Sequence, residues 1–417
     1  MNMEKLGKYC KIISGYAFKS NDLSEGTEIP VIKIGNISNG NDVIIDSSTQ
    51  YVSSDFLSID EKYHIKKGDV LISLTGSHIN QPNSMVGRSC RNFSDTEFLL
   101  NQRAGKVIPN ENADKNYLYY LLNTESFKYS ICNRAYGAAN QANVSPSDIE
   151  NIKWNFPPLP TQQKIASILS AYDNLIQNYK KQIEALQTAA SELYKEWFVR
   201  FRFPGYQTTR FENGIPEGWK IERLGNLFEI TSSKRVFEED YVNEGIPFYR
   251  SKEIIELSNN QEITTELYIS NELYAKFKNK FGVPKENDIL ITSVGSIGNS
   301  YQVRKDDIFY FKDGNLTWIK SSSKKALSKY LIYWLKSDLG KNTLISSTIG
   351  TSQSALTIEK LRAIKILVPE VNILEKFEQK ISSFDIKIQI LNKQITNLTQ
   401  QRDLLLPRLM SGKIKIK

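Results

Sequence analysis

The sequence predicts an α+β chain in which two α/β domains, related by an approximate twofold axis, are separated by two long antiparallel coiled-coil helices. Three observations carry that prediction: an internal repeat with a period of 212 to 219 residues, an apolar rhythm of 3.5 residues after each copy, and a proline-marked stop ahead of each rhythm. A chain of 417 residues has room for about two to three domains, each burying its own core.

The repeat sets the architecture. GDVLISLTGS at 68–77 returns as NDILITSVGS at 287–296, each a β-rich run that ends in Gly-Ser. YLYYLL from Tyr117 returns as YLIYWL from Tyr330, and QANVSPSDIENIKWNFP at 141–157 returns as QSALTIEKLRAIKILVP at 353–369. The entrances agree as well, KLG from Lys5 with RLG from Arg223 and IPVIK from Ile29 with IPFYR from Ile246. Two unrelated α+β domains share strands and helices by chance. Five matched segments in one order, with spacings that drift by only a few residues, argue for duplication.

After the stop NFPPLP, apolar residues fall at Ile165, Leu169, Tyr172, Ile176, Tyr179, Ile183, Leu186, Ala190, Leu193 and Trp197, in steps of four and three. Shifted by 212, the second half places Phe377, Ile381, Phe384, Ile388, Leu391, Ile395, Leu398, Arg402, Leu405 and Leu409 at the same phase. That is a coiled-coil seam, with polar residues such as Lys180, Lys181, Lys387 and Lys393 on the other face. Thr161 is placed to cap the first helix, Asn372 with Glu375 has capping-box spacing, and Pro204 with Gly205 ends the first helix. A seam this narrow needs a partner in water, either the other helix or the neighbouring domain. An antiparallel pairing opposes Ala190 to Phe384, Ile165 to Leu409 and Trp197 to Phe377, and lays the Arg402 guanidinium on the Tyr172 ring. The expected domains are 1–158, the helix 159–203, 204–370, and the helix 371–417.

Composition narrows the class. Hydrophobic residues are 40% and charged residues 24%, no run approaches 18 apolar residues, and MNMEKLGKYCKII lacks the pattern of a secretion signal, so a cytoplasmic protein without a membrane partner is expected. Cys10, Cys90 and Cys132 are odd in number and scattered, which suits reduced thiols. A net charge of +8 permits binding to a polyanion without requiring it. His64 and His78 have no second His or Cys at ligand spacing, so no metal site is expected.

The sequence carries no enzymatic motif of the kinds a DNA-modifying chain would need. Phe156 separates Asn155 from Pro157 and Pro158, so NFPPL cannot form the Asn-Pro-Pro-aromatic loop of an amino-methyltransferase and reads as a turn before a helix. No strand leads into Gly-x-Gly-x-x-Gly and no P-loop is present. Gly295 and Gly298 bracket a short turn, and Glu238, Glu239 and Asp240 read as a solvated charge run. No catalytic residue is assigned.

PPLPTQQKIASIL, SELYKEWFVRF, IPEGWKIERLG, LLLPRLMSGKI and the opening IISGYAFKS together resemble the specificity subunits of type I restriction-modification enzymes, and the resemblance spans essentially the whole chain. It implies a DNA-reading subunit without catalysis or cofactor of its own, each domain a target-recognition domain for half of a bipartite site in double-stranded DNA. It also implies two methyltransferase subunits that carry S-adenosylmethionine and methylate adenine, and restriction subunits, where present, that use ATP and Mg²⁺. The helix seam from 165 to 197 would span about 48 Å, or roughly 14 base pairs of unread gap. The first half departs from the second in its longer TGSHINQPNSMVG against SVGSIGN, so loop lengths do not transfer between halves.

Base reading needs Arg or Lys for guanine and Asn or Gln for adenine, delivered from loops at strand ends. In half one the densest sets are Ser77, His78, Asn80, Gln81, Asn83, Arg88 and Arg91, then Arg134, Tyr136, Asn140 and Gln141. Half two offers Lys234 and Arg235, Tyr249, Arg250 and Lys252, then Asn299, Gln302, Arg304 and Lys305, with Gln353 repeating Gln141. An ordinary exposed loop accounts for any single one of them, so the sets carry the reading as groups. Three alternatives stay open: a specificity subunit of another multisubunit restriction-modification class, a coiled-coil scaffold that binds only proteins, and a free-standing DNA-modifying enzyme.

Overall fold

The computed structural model describes residues 3–414 apart from 27, 78–85, 139–140, 260–262, 264, 266, 322–324 and 351–353. The chain divides into two compact units, Met1–Gln182 with Leu391–Lys417, and Ile183–Ile390.

In the first unit, Cys10–Ser14, Ala104–Pro109, Val70–Ser73 and Ser89–Arg91 form an antiparallel sheet in that order. All four residues of the interior strand Val70–Ser73 are buried, which is why GDVLIS reads as a nearly unbroken apolar run. A second sheet orders Gln50–Val52, Ile29–Ile32, Phe98–Leu100 and His64–Ile65, with the IPVI strand parallel to Phe98–Leu100.

The second unit repeats the plan. Glu229–Thr231, Leu316–Lys320, Ile289–Thr292 and Ser300–Gln302 pair antiparallel in the same order, and the IPFY strand Ile246–Tyr249 runs parallel to Tyr310–Phe311. Even the turn before the interior strand is shared. Gly68 (φ 82°) and Asn287 (φ 72°) both occupy the left-handed region, where glycine and asparagine are the tolerated residues. Their N–H groups donate to Asn92 O at 2.7 Å and to Val303 O at 2.9 Å.

A helix pair closes each unit, Lys115–Asn123 with Glu125–Cys132 and Lys325–Lys336 with Asp338–Ser346. The Thr124 and Ser337 hydroxyls accept from the N–H of Phe127 and Gly340, capping the second helix of each pair. Short antiparallel pairings, Glu4–Lys5 with Lys153–Trp154 and Lys220–Arg223 with Lys365–Val368, tie the beginning of each head to its exit.

Beyond each exit lies a long helix, the central one Leu159–Tyr194 continuing through a π turn Lys195–Val199, and the distal one Val371–Met410. Both start earlier than the capping residues suggest, leaving Thr161 and Asn372 inside the helix. The Pro158 carbonyl accepts from Thr161 N and Gln162 N, and the Glu370 carbonyl from Ile373 N and Leu374 N, while Pro160 in the first turn has no N–H to satisfy. Every one of the twenty seam positions is buried or half-buried, and Lys180, Lys181, Lys387 and Lys393 are exposed.

In the first unit Ile165, Ala166 and Leu169, at the start of the central helix, share a core with Leu409, Leu405 and Met410 and with the head residues Leu6 and Tyr117. In the second, Ala190, Tyr194, Trp197 and Phe198, at its end, share a core with Phe377, Ile381 and Phe384 and with Tyr330 and Trp334. Start meets end in one unit and end meets start in the other, so the helices run antiparallel where they meet. Each helix end also packs on the head of the unit it lies in, and the two partners considered for the seam are both used. The Arg402 pairing is corrected: its guanidinium binds Asp173 rather than lying on Tyr172, because a buried carboxylate attracts it more strongly than a ring face.

No described helix is long and apolar enough to cross a membrane. The three cysteines are free and buried, and burial pushes the Cys10 thiol up to about 12.

Candidate nucleic-acid interface

In half one the two loop groups converge. Gln141–Asn143 pairs on one side with Tyr136–Ala138 and on the other with Thr75–Gly76, and Thr75 Oγ1 donates to Asn143 Oδ1 at 2.8 Å. This puts the TGS end of the interior strand beside the NRAYGAANQAN segment. Tyr136 is 61% exposed there, and Arg134 is exposed with one guanidinium nitrogen 2.9 Å from Ser130 O. His78, Asn80, Gln81, Asn83 and Asn140 lie outside the described residues, as does the side chain of Gln141. Ser77 is buried at the head of this segment.

Half two shows a matching convergence. Ala355 bridges to Val294 and to Ile349, and Leu356 N donates to Ser293 O at 2.8 Å, so the turn bearing Asn299 sits against the segment that leads toward Gln353, itself outside the described residues. Asn299 Nδ2 donates back to Ser296 O at 2.8 Å, fixing that turn. A second set gathers near Tyr310–Phe311. Lys234 N donates to the Tyr310 hydroxyl at 2.8 Å, Arg235 pairs with Asp313 at 3.0 Å, and Lys312 N donates to Tyr249 O. Lys234, Arg235, Lys252, Arg304 and Lys305 are exposed, while Arg250 is half-buried and holds Glu253 at 3.1 Å.

Four predicted loop residues are placed differently. Arg88 and Arg91 are buried, flanking and ending the strand Ser89–Arg91, and Arg88 donates to Ile34 O at 3.0 Å. Tyr249 is buried, stacked on Phe309 at 4.4 Å. Gln302 ends the strand Ser300–Gln302 and turns inward to Lys329. All four lie on or beside sheet strands, and pleated strands send alternate side chains into the protein.

Arg91 instead joins a junction between head and helices. Its guanidinium reaches Asn116 Oδ1 at 2.7 Å and Asp173 Oδ2 at 3.2 Å, and rests over the Phe93 and Tyr119 rings. Asp173 also takes Arg402 Nη1 at 2.8 Å and the Tyr120 hydroxyl at 2.6 Å. Burial, then the Asp173 charge, holds the Tyr120 phenol above its ordinary range. Burial works against the Arg402 charge, but Asp173, and then Asp403, outweigh it and hold the guanidinium above its ordinary value. In half two, Lys329 Nζ reaches Gln302 Oε1 at 2.5 Å and Asp385 Oδ2 at 2.8 Å. Sequence reasoning missed Asn116, Asp173, Lys329 and Asp385. The available signal was an acid at one heptad phase in both helices, 212 residues apart.

His64 is structural, its Nδ1 2.7 Å from Glu97 and its Nε2 3.2 Å from Ile59 O. Among the described residues no cluster of His, Cys, Asp or Glu could hold a metal. Phe156, between the first head and the central helix, stacks on Tyr9 at 3.8 Å.

Two α+β heads of one sheet order, each followed by a long helix, define the class: a duplicated two-domain chain. A family model described as type I restriction modification DNA specificity domain matches residues 1–188 and 216–400, and the chain belongs to that family, whose members are generally non-catalytic. It is 28% identical over 327 residues to the MjaIX type I restriction enzyme specificity subunit of Methanocaldococcus jannaschii, covering 76% of this chain and 73% of the relative. It is 23% identical over 417 residues to the EcoBI type I specificity subunit of Escherichia coli, covering 93% and 81%. The crystal structure of a type I restriction-modification S subunit from M. genitalium shares the fold, with a TM-score of 0.54 at 18% identity over 98% of this chain and 95% of that one.

Proposed function

We propose that this chain reads a bipartite target in double-stranded DNA, one half-site per head, and seats the subunits that perform the chemistry. The observation that carries the reading is the duplication of head and helix together, with one sheet order in both units. Two copies of one reader serve a target of two parts; a single continuous site would need only one. The heads are assigned to 1–158 and 204–370 and the helices to 159–203 and 371–417.

Exposed Arg134, Lys234, Arg235, Lys252, Arg304 and Lys305 supply phosphate contacts that set register, and the convergent loops around Tyr136 and Asn299 supply base contacts. Two methyltransferase subunits bind the chain, bring S-adenosylmethionine, and flip an adenine from the stack to methylate it. Restriction subunits bring ATP and Mg²⁺ chemistry. The complex works in the cytoplasm.

The test is methylome sequencing of cells that express this chain with its modification partner. Methylated adenines should define two short motifs at one fixed separation. A single undivided motif, or none, would overturn the reading.

A further inference from the structure

The two head-to-helix junctions use the same three positions, but the cation and the amide have traded places. Arg91 and Gln302 are the last residues of equivalent edge strands, in identical register opposite Val70 and Ile289. Asn116 and Lys329 directly precede the repeated tyrosines Tyr117 and Tyr330 in equivalent helices. Asp173 and Asp385 share one heptad phase. In half one the strand carries the charge and the helix the amide; in half two the helix carries the charge and the strand the amide. Both arrangements keep a cation to amide hydrogen bond and a cation to aspartate contact, at 3.2 Å in half one and 2.8 Å in half two.

We propose that Asp173 and Asp385 are positioning residues that set how each recognition domain sits on its long helix, through a strand-helix-acid pin whose cation can be supplied from either element. Adhesion alone does not explain the pin. The junction is lined by apolar cores that already hold head to helix, and an ion pair taken from water contributes little net stability compared with apolar packing. What an ion pair with a shared amide adds is direction: three groups on three elements must meet at hydrogen-bond distance, which excludes sliding of one element past another. Retention of that geometry in two halves whose residues have exchanged identity points to orientation as the property served.

The halves differ in one further respect. Position 402, which supplies a second cation to Asp173, corresponds to Ala190 in half two, and Ala190 is buried in an apolar cluster. Arg402 is therefore an additional tie from the distal helix, separable from the pin.

The proposal rests on the reading of one half-site per head, and the test keeps the two apart. The full chain is assembled with its modification partner, and methylation is scored on targets mutated in one half-site at a time. Wild type must discriminate at both half-sites; if it does not, the bipartite reading fails before the pin is examined. Arg91→Gln should lower discrimination at the first half-site by on the order of tenfold and leave the second unchanged. Adding Asn116→Lys, which recreates in half one the arrangement of half two, should restore discrimination to within about threefold of wild type. A base or phosphate contact made by Arg91 itself would not be recovered by a lysine on another element. A double variant no better than Arg91→Gln overturns the pin. So does full discrimination in an apolar Arg91→Met, Asn116→Leu chain, which would mean that adhesion suffices. Thermal unfolding of each variant confirms that the chains compared are folded.

Discussion

The Arg402 guanidinium lies 2.8 Å from the Asp173 carboxylate, joining the distal helix to the central one beneath the Tyr120 hydroxyl. The acid is almost fully buried, its side chain 4% exposed, with Arg91 on its other oxygen. Asp173→Asn would leave the buried Arg91 guanidinium with no carboxylate, and Arg402 with only the exposed Asp403 at 2.9 Å. Breaking such a buried arrangement costs about 3–5 kcal/mol. The counterpart Asp385 is 36% exposed and faces one ammonium, so Asp385→Asn should cost about 1 kcal/mol or less. Urea unfolding of both variants checks the asymmetry; equal losses would mean that exposure does not govern these pairs.

The turn before each interior strand gives a backbone test. A Cβ at Gly68 would meet nothing nearer than Lys115 Nζ at 3.9 Å, so the cost of a side chain there is conformational alone. Asn287 shows that asparagine is accepted at the equivalent position. Gly68→Asn should lower stability by less than about 1 kcal/mol, and Gly68→Val by about 2 kcal/mol, because a β-branched residue resists positive φ. Thermal melts of the two variants decide, and similar values for both would contradict a backbone origin.

Much of this architecture was legible because its causes are local. Val70–Ser73 and Ile289–Thr292 are buried along their whole length, so they spell apolar runs, and the helix seam spells its 3.5-residue period because one face must meet a partner. The junctions were not legible. Arg91 finds Asp173 across 82 residues and Arg402 finds it across 229, and nothing in RSCRN separates a strand arginine turned inward from a loop arginine turned to solvent. The caps were not legible either: the helices start at Leu159 and Val371, with the Pro158 and Glu370 carbonyls accepting their first N–H groups, and Thr161 and Asn372 lie inside the first turn. Of the candidate readers, neither the convergence of the Tyr136 segment with the TGS strand end nor the burial of Arg88, Arg91 and Tyr249 could be read without the strand pairing.

Lys128 gives a pH test. It is half-buried on the second helix of the first pair, hydrogen-bonded to Asn39, and burial brings its ammonium down to about 8 against 10.5 in the open chain. Between those values the unfolded chain holds a proton that the folded chain has released, so stability rises with pH across that window. Below pH 8 the cost of the charge is fully present. Lys128→Met should therefore be more stable than wild type at pH 7, by on the order of 1 kcal/mol once solvent screening is allowed for. The advantage should shrink toward zero by pH 10. Denaturation of both chains at the two pH values measures it, and a gap that does not change with pH would assign the effect to packing.

Phe377 anchors the second unit where the distal helix begins. It is fully buried, with its ring centroid 4.8 Å from Phe198, 5.9 Å from Trp197 and 5.7 Å from Tyr333. Those neighbours come from the central helix and from the head, so one side chain closes both contacts. Phe377→Ala should destabilise by about 3–5 kcal/mol, because rings held by three elements cannot collapse into the cavity. Its counterpart in the repeat is Ile165, also buried, and Ile165→Val should cost only about 0.5–1.5 kcal/mol. Domain-resolved hydrogen exchange distinguishes the outcomes: Phe377→Ala should raise exchange in 371–384 and 325–336 together. If only the distal helix loosened while the head stayed protected, the ring would be a contact between helices alone and the shared core of the second unit would be wrong.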